Sequence, residues 1–274
     1  MHPSNFHFVE VSSGNSKPSD IASLAEGREL AGQRWLFLSP HDDDCILAFG
    51  LLMQAAAKRG IETSLLVATD GSLGYVSLEQ RDTIVETRRG ETLRAYEMVG
   101  VLRERIYFLG FPDNSLRNYQ GRRKAQDGDP EIEGYTGLQN HLTYFLRKIA
   151  PDALFVPTGN DIHIDHKVCN EELGISLFHA SSGIWPELGP KISLPLLYYG
   201  AVYCDLDQVD FAIKGDEDMH RRKLDGIRTF ASQKQIVDAL ASQRGAQPAI
   251  EVFQRVKYNF FEPNNYRWLF EHEQ

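Results

Sequence analysis

The chain has 274 residues, 42% hydrophobic and 24% charged, with a formal net charge of −9, ordinary values for a globular protein with room for a sizeable core. Its basic residues are scattered apart from short clusters such as Arg122-Arg123-Lys124 and Arg221-Arg222-Lys223, which excludes nucleic acid as the expected partner because phosphate neutralisation needs a basic face. Cys45, Cys169 and Cys204 lack CxxC spacing, so neither a disulfide framework nor a cysteine zinc site is indicated.

No run reaches the roughly 18 apolar residues of a membrane span, and the first residues lack a basic start with an apolar stretch behind it; a cytoplasmic location is expected. Residues 1–30 read as an irregular segment ahead of one α/β domain over 31–274. A buried strand is predicted over 35–39, followed by a helix over 46–59 that stops at Gly60, a plausible C-cap. A strand at 63–68 leads to a helix over 78–99, rich in Arg and Glu and closed by Gly100. After a strand at 106–109 comes a polar, Gly-rich stretch over 113–137, too long for a routine connection and expected to be a loop beside a binding site. A helix over 138–149, a strand at 153–156, a helix over 166–179 and a strand over 196–203 follow. The pattern is helical again over 216–243, and "IEVFQRVKYNFFE" alternates like a late strand or hairpin. Short apolar runs alternating with amphipathic stretches predict an α/β fold, a mostly parallel sheet with helices on both faces.

In such sheets ligands bind outside the carboxyl ends of the strands. The first strand runs into "HDDD", the second into "TDGSLGYV", the third into "GFPDNS" and the fourth into "PTGNDIHIDHKVCN". Asp70, Asp113 and the group His163, Asp165 and His166 are therefore expected at one edge with His41 to Asp44. Two imidazoles and a carboxylate are the usual protein ligands of an open catalytic zinc site, a set that His41, Asp44 and His166 can supply. A bound divalent ion lowers the pKa of its water, and a carboxylate off the metal can take the proton; Asp43 is the candidate base. His163 is placed to stabilise charge on an amide oxygen, with Asp165 to hold its ring and raise its pKa.

Plainer readings stand beside these. Asp70 reads best as a cap, Asp42 as a turn former that hydrogen-bonds backbone N–H groups, and Cys45 as a small core residue. Arg88 and Glu91 read more often as a solvated helix face than as a site. His2, His7, His141, His179, His220 and His272 read as structural or exposed. A facial set of two histidines and one carboxylate also suits non-haem iron oxygenases, but those sit on double-stranded β folds, against the alternation here. A binding protein that has lost catalysis would need neither Asp43 nor His163.

"SPHDDDCILAFG" with "HIDHKVCN" resembles the PIG-L/LmbE-like family of metal-dependent de-N-acetylases, whose signature is usually A-H-P-D-D-E with a distant H-x-D-H. The likeness continues through "VATDGSLG", "ETRRGETLRAYEMVGVLRERIYFLGFPD" and "KLDGIRTFASQ". It implies a Rossmann-like fold, zinc (Fe2+ being the alternative ion), and hydrolysis of an N-acetyl group on an amino sugar or its glycoside. By matching position it makes His41, Asp44 and His166 the metal ligands, Asp43 the base and His163 the electrostatic stabiliser backed by Asp165. It also puts Arg88 near the substrate, with Asp113 counted as a further substrate-binding candidate. Asp42 stands where the family usually has Pro, and Cys45 where it usually has Glu. A non-sugar acylamine as substrate and self-association into a homo-oligomer both stay open at this stage.

Overall fold

The structure is a computed structural model that describes residues 5–12, 14–235, 238–239, 242, 250–258 and 260–270. Its strands are β1 (Phe6–Ser12), β2 (Asn15–Ser19), β3 (Arg34–Ser39), β4 (Glu62–Thr69), β5 (Ile106–Phe111), β6 (Arg123–Lys124), β7 (Tyr135–Thr136), β8 (Ala153–Pro157), β9 (Leu196–Gly200), β10 (Phe211–Gly215) and β11 (Ile250–Val256). The α-helices are α1 (Asp44–Lys58), α2 (Ile84–Met98), α3 (Leu138–Ile149), α4 (Ile164–Ser181) and α5 (Glu217–Arg228).

Nine strands form one mixed sheet in the order β2-β1-β10-β11-β9-β8-β3-β4-β5. From β5 to β9 the pairings are parallel, and from β9 outward to β2 they are antiparallel. The parallel strands are buried on both faces, hence their continuous apolar runs. In β3, Trp35 and Phe37 join the core with α1, α2 and α5, while Leu36 and Leu38 join the opposite core with α3 and α4. The fold is Rossmann-like α/β with helices on both faces.

Two expectations are corrected. The sheet is mixed rather than mostly parallel, because β11, β10, β1 and β2 extend it from β9 through successive antiparallel pairings. The first thirty residues are not irregular: β1 alternates as FHFVEVS, buries Phe8 and pairs with β10. At the sheet edge β2 carries Lys17 and Pro18, residues that discourage further pairing. A 3-10 turn, Ile21–Ala25, then buries Ile21, Leu24 and Ala25. The late strand is β11, antiparallel between β10 and β9. Beyond α5 the expected helix continues as a 3-10 turn, Ala231–Gln233, and part of it, with His2 and His272, lies outside the described residues. The long connection after β5 holds a 3-10 turn, Leu116–Tyr119, and the β6–β7 ribbon. Among the described residues no helix is long and apolar enough to cross a membrane.

Candidate active site

The carboxyl ends of β3, β4, β5 and β8 meet around His41. After β3, the Ser39 hydroxyl donates to the His41 carbonyl and accepts from the Cys45 N–H at 3.1 Å, tightening the turn into α1. Asp44 opens that helix, where exposed N–H groups favour negative charge, and its carboxylate accepts the His41 N–H at 2.7 Å. The same Oδ2 lies 3.1 Å from His41 Nδ1 and 3.0 Å from His166 Nε2. His166, in the first turn of α4, has its Nδ1 3.2 Å from Asp161 Oδ2. His41 Nε2 is 3.4 Å from both Asp113 Oδ1 and Asp165 Oδ2.

These groups fit a cation. His41 Nε2, Asp44 Oδ1, Asp165 Oδ2 and both ring nitrogens of His166 are buried without an aligned hydrogen bond, and a buried polar atom left so costs about 1–3 kcal/mol. Imidazole and carboxylate are divalent-ion ligands, and donor atoms on a tetrahedral ion with bonds near 2.0–2.1 Å sit roughly 3.3 Å apart, close to the spacing around Asp44 Oδ2. Two three-residue sets have ligand atoms within 4.8 Å of one another, His41 with His163 and His166, and His41 with Asp113 and Asp165, while Asp44 joins His41 and His166 pairwise through its Oδ2. This His/Asp cluster is one that could hold a metal ion.

Burial opposes charge on Asp44, yet His166 and His41 hold its carboxyl well below the usual range. Burial also opposes charge on the two imidazoles. Asp44, with Asp113 and Asp165, nevertheless holds His41 well above its ordinary value, and Asp44 with Asp161 brings His166 to about 9. Asp43 behaves differently. Burial, then Asp44 and Asp42, push it up to about 6 against the pull of Arg88 and His41. It precedes the first residue of α1, makes no side-chain cap bond and has its Oδ1 4.0 Å from Arg88 Nη2.

His163 caps α4, its Nδ1 accepting the Asp165 N–H at 3.2 Å; the ring proton therefore sits on Nε2. Its ring meets His41 edge-on, with centroids 4.4 Å apart. Burial, then His41 and His166, lower its pKa, so the expected upward shift is corrected. The Asp165 carboxylate faces His41 and accepts the Leu116 N–H at 3.2 Å; the backbone of Asp165, rather than its carboxylate, is what touches the His163 ring.

Arg88 and Glu91 are not a solvated face. Both are buried, and they share one helical stripe with Ile84, Thr92, Ala95 and Tyr96. Arg88 binds Asp42 in a two-toothed pair, Nε to Oδ2 at 2.9 Å and Nη2 to Oδ1, with Thr92 Oγ1 donating to Asp42 Oδ2 at 3.3 Å. Asp42 is thus the Arg88 counter-ion rather than a turn former bonded to backbone N–H groups. Burial would depress the Arg88 pKa, but Asp42 raises it well above its ordinary value. Glu91 accepts from the Ser232 N–H and hydroxyl at 2.9 and 2.6 Å. Asp113 accepts the Leu73 N–H at 3.3 Å, and Asp70 organises the loops by accepting from Ser72 and Asp113 N–H at 2.9 and 3.0 Å.

Two site residues escaped the sequence reading. Asp161 stands behind His166 and receives the Tyr203 N–H at 3.4 Å, and the Tyr203 ring lies 5.8 Å from that of His166. A carboxylate five residues before a ligand histidine was the available signal for Asp161; for Tyr203 there was none.

The profile of the PIG-L family, GlcNAc-PI de-N-acetylase, matches residues 36–175. The chain belongs to the PIG-L family. A 1D-myo-inositol 2-acetamido-2-deoxy-alpha-D-glucopyranoside deacetylase of Corynebacterium urealyticum is 34% identical over 152 residues, 50% of this chain and 45% of that protein. Its namesake deacetylase 2 of Saccharopolyspora erythraea is 25% identical over 74% of this chain and 84% of its own. The match thus spans less than half the length of the first relative. In structure, the N,N'-diacetylchitobiose deacetylase of Pyrococcus horikoshii superposes with a TM-score of 0.64 at 19% identity, covering 86% of this chain and 90% of its own. The 4-carboxy-2-hydroxymuconate hydratase GalB of Pseudomonas putida reaches 0.61 at 16% identity over 84% of this chain and 98% of its own. The fold alone therefore does not fix the reaction.

Proposed function

We propose that this PIG-L family member is a metal-dependent amide hydrolase that removes an N-acetyl group from an amino sugar or its glycoside, releasing acetate and a free amine. The observation that carries the reading is Asp44 Oδ2 between His41 and His166 at 3.1 and 3.0 Å, with Asp43 next to Asp44 in the chain and the His163 ring against that of His41. The relatives named as deacetylases of N-acetylated glucosides support the substrate class. His41, Asp44 and His166 would hold the ion, zinc first and iron(II) as the alternative; when bound it supplies the Lewis acidity that makes water nucleophilic near neutral pH.

The chain's own groups account for the rest. As water adds to the acetyl carbonyl it loses a proton, and Asp43, with its carboxyl at about 6, is suited to take it and return it to the departing nitrogen. Negative charge grows meanwhile on the carbonyl oxygen, where the His163 Nε2–H can donate. Asp165 sets His163 through its backbone and His41 through its carboxylate. Asp113, the other carboxylate facing His41, is assigned to a sugar hydroxyl, and Arg88 acts through Asp42 to position the loop that bears Asp43.

The test is release of acetate and primary amine from N-acetylglucosamine and its glycosides by purified protein, abolished by chelation and restored by zinc or iron(II). Cleavage of simple acylamines with every N-acetyl sugar left intact would remove the sugar assignment.

A further inference from the structure

Helix α1 bears Asp44 at its first position, and it is enclosed by the fold. Every residue from Asp44 to Ala56 is buried, and Asp44 and Gln54 are the two among them with a carboxylate or amide side chain. A surface of Leu, Ile, Ala and Met can repack at little cost in stability, losing uniqueness first, so by itself it fixes the axial position of a helix poorly. A working site needs its groups held to about 0.5 Å.

Two charged side chains reach the middle of this helix. Lys223 of α5 and Glu251 of β11 are each 4% exposed and pair at 2.6 Å. One Glu251 oxygen accepts the Leu51 N–H at 2.6 Å and the other accepts the Leu52 N–H at 3.0 Å, while the Lys223 ammonium donates to the Leu47 carbonyl at 2.8 Å. Gln54 adds a third tie, donating to the Gly50 carbonyl within α1 and to the Met219 carbonyl of α5, both at 3.1 Å. Two glycines make room for the approach: a Cβ on Gly50 would stand 3.1 Å from Lys223 Cγ, and one on Gly226 would stand 2.7 Å from Ile46 Cδ1.

The backbone of α1 does not require these charges, because in a regular α-helix the Leu51 N–H and the Leu47 carbonyl are each other's partners. Stability is no sufficient reason either, since exchanging a buried ion pair for apolar side chains of similar volume is often neutral or stabilising. What the pair adds is position: each bond selects one backbone atom of α1 and ties it to α5 or β11.

We infer, resting on the hydrolase reading above, that Lys223, Glu251 and Gln54 are positioning residues that fix α1 along its axis and thereby hold Asp44 at ligand distance from His41 and His166. Leu47, the residue Lys223 grips, lies three positions from Asp44, about 4.5 Å along the axis. A shift at the pair therefore passes directly to the carboxylate.

The test exchanges both charges in the full chain, Lys223→Met with Glu251→Met, and reads zinc affinity by competitive chelator titration beside thermal melting. The methionine pair should melt near or above wild type and bind zinc about tenfold or more weakly, the scale of disturbing what orients a ligand. Its kcat/KM for methyl N-acetylglucosaminide should fall at least as far. A pair that served stability alone would move the melting temperature and leave zinc binding by the folded protein untouched, so a folded methionine pair with wild-type zinc affinity would overturn the inference. Lys223→Gln with Glu251→Gln, neutral but still able to bond the same backbone atoms, should hold zinc to within about threefold of wild type; a loss equal to that of the methionine pair would count against positioning through those bonds and overturn it too. If the methionine pair fails to fold, Gln54→Met, which breaks one tie and strands no charge, decides instead: zinc binding weakened about threefold or more supports the inference, and unchanged binding overturns it. Wild-type protein that binds neither zinc nor iron(II) would remove the metal-dependent hydrolase reading itself, and this inference with it.

Discussion

The buried Asp42–Arg88 pair can be unbalanced by exchanging a single oxygen. In Asp42→Asn the side chain keeps its shape and loses its charge, leaving a guanidinium that is 5% exposed without its counter-ion. Removing one partner of a buried pair costs about 3–5 kcal/mol; the amide oxygen can still accept one N–H, and Asp43 lies 4.0 Å from Arg88 Nη2, which reduces the expected loss to about 2–4 kcal/mol. For a chain of this size that is a fall in Tm of about 5–10 °C. Asp43→Asn should run the other way. Its folded pKa, about 6, is raised above the ordinary 3.8, so the folded chain binds that proton more tightly than the unfolded chain does. The ionised carboxylate therefore weakens the fold: the effect is absent below the unfolded pKa, grows as pH rises through the interval, and is complete above the folded pKa. An amide relieves it, by at most about 3 kcal/mol. Near neutral pH, chelator-treated Asp43→Asn should melt at or above wild type, yet lose about 10²- to 10⁴-fold in turnover when metal is restored. Calorimetry paired with amine release decides the matter. Wild-type melting of Asp42→Asn, or destabilisation confined to Asp43→Asn, would refute the electrostatic reading of this loop.

His166→Ala should lose most bound metal, measured by elemental analysis after dialysis; full occupancy would remove it from the ligand set. Asp161→Asn should weaken metal affinity by about 10–100-fold with the fold intact, because the group behind a ligand imidazole sets its orientation and basicity; a competitive chelator titration reads this. His163→Ala should keep its metal and slow turnover by about 10²-fold or more, whereas an unchanged rate would make the ring merely a helix cap. His141 is a separate case, its pKa pushed down to about 4 chiefly by burial. It contributes stability that is complete above the unfolded pKa of 6.5 and is lost as pH falls toward about 4, a change of about 3 kcal/mol; denaturant titrations across that range should show a shallower slope in His141→Gln than in wild type.

The parallel half of the sheet was legible because its strands are buried on both faces and read as uninterrupted apolar runs between helices. Of the antiparallel half, β11 was legible from its alternation and the other strands were not. β10 is five residues, FAIKG, with glycine and lysine among them, and β1 is stabilised by pairing to the distant β10 rather than by a local apolar run, with β2 paired on β1 alone. At the site, the convergence of His41, Asp44 and His166 followed from strand-end topology, since the loops after β3 and β8 had to open on one edge. The pairing of Asp42 with Arg88 did not follow, because 46 residues separate them and either alone has an ordinary solvated reading. Their signal was subtler: Arg88 and Glu91 fall at helical spacing on the stripe of Ile84, Ala95 and Tyr96, where two charges can be buried only with partners.

Those partners explain why the chain beyond residue 175, where the family profile ends, bears on chemistry carried by residues before it. The loop after β4 passes so close to Arg88 that a Cβ at Gly74 would overlap the guanidinium, and Gly71, at φ +67°, is similarly crowded by Arg88 Nε. Gln233 donates to the Gly74 carbonyl, while its neighbour Ser232 is anchored on Glu91, one turn along α2 from Arg88. On the far side of α1, the Glu251 carboxylate accepts the Leu51 and Leu52 N–H groups at 2.6 and 3.0 Å, and Lys223 joins Glu251 to the Leu47 carbonyl. The helix that Asp44 opens is thereby tied to α5 and β11. Water reaching Arg88 would weaken its hold on Asp42 by raising the local dielectric, and Asp42 is the residue next to the proposed base. A strand-end site of this kind gets its reactive groups from the parallel strands and its dryness from segments that lie far away in the sequence.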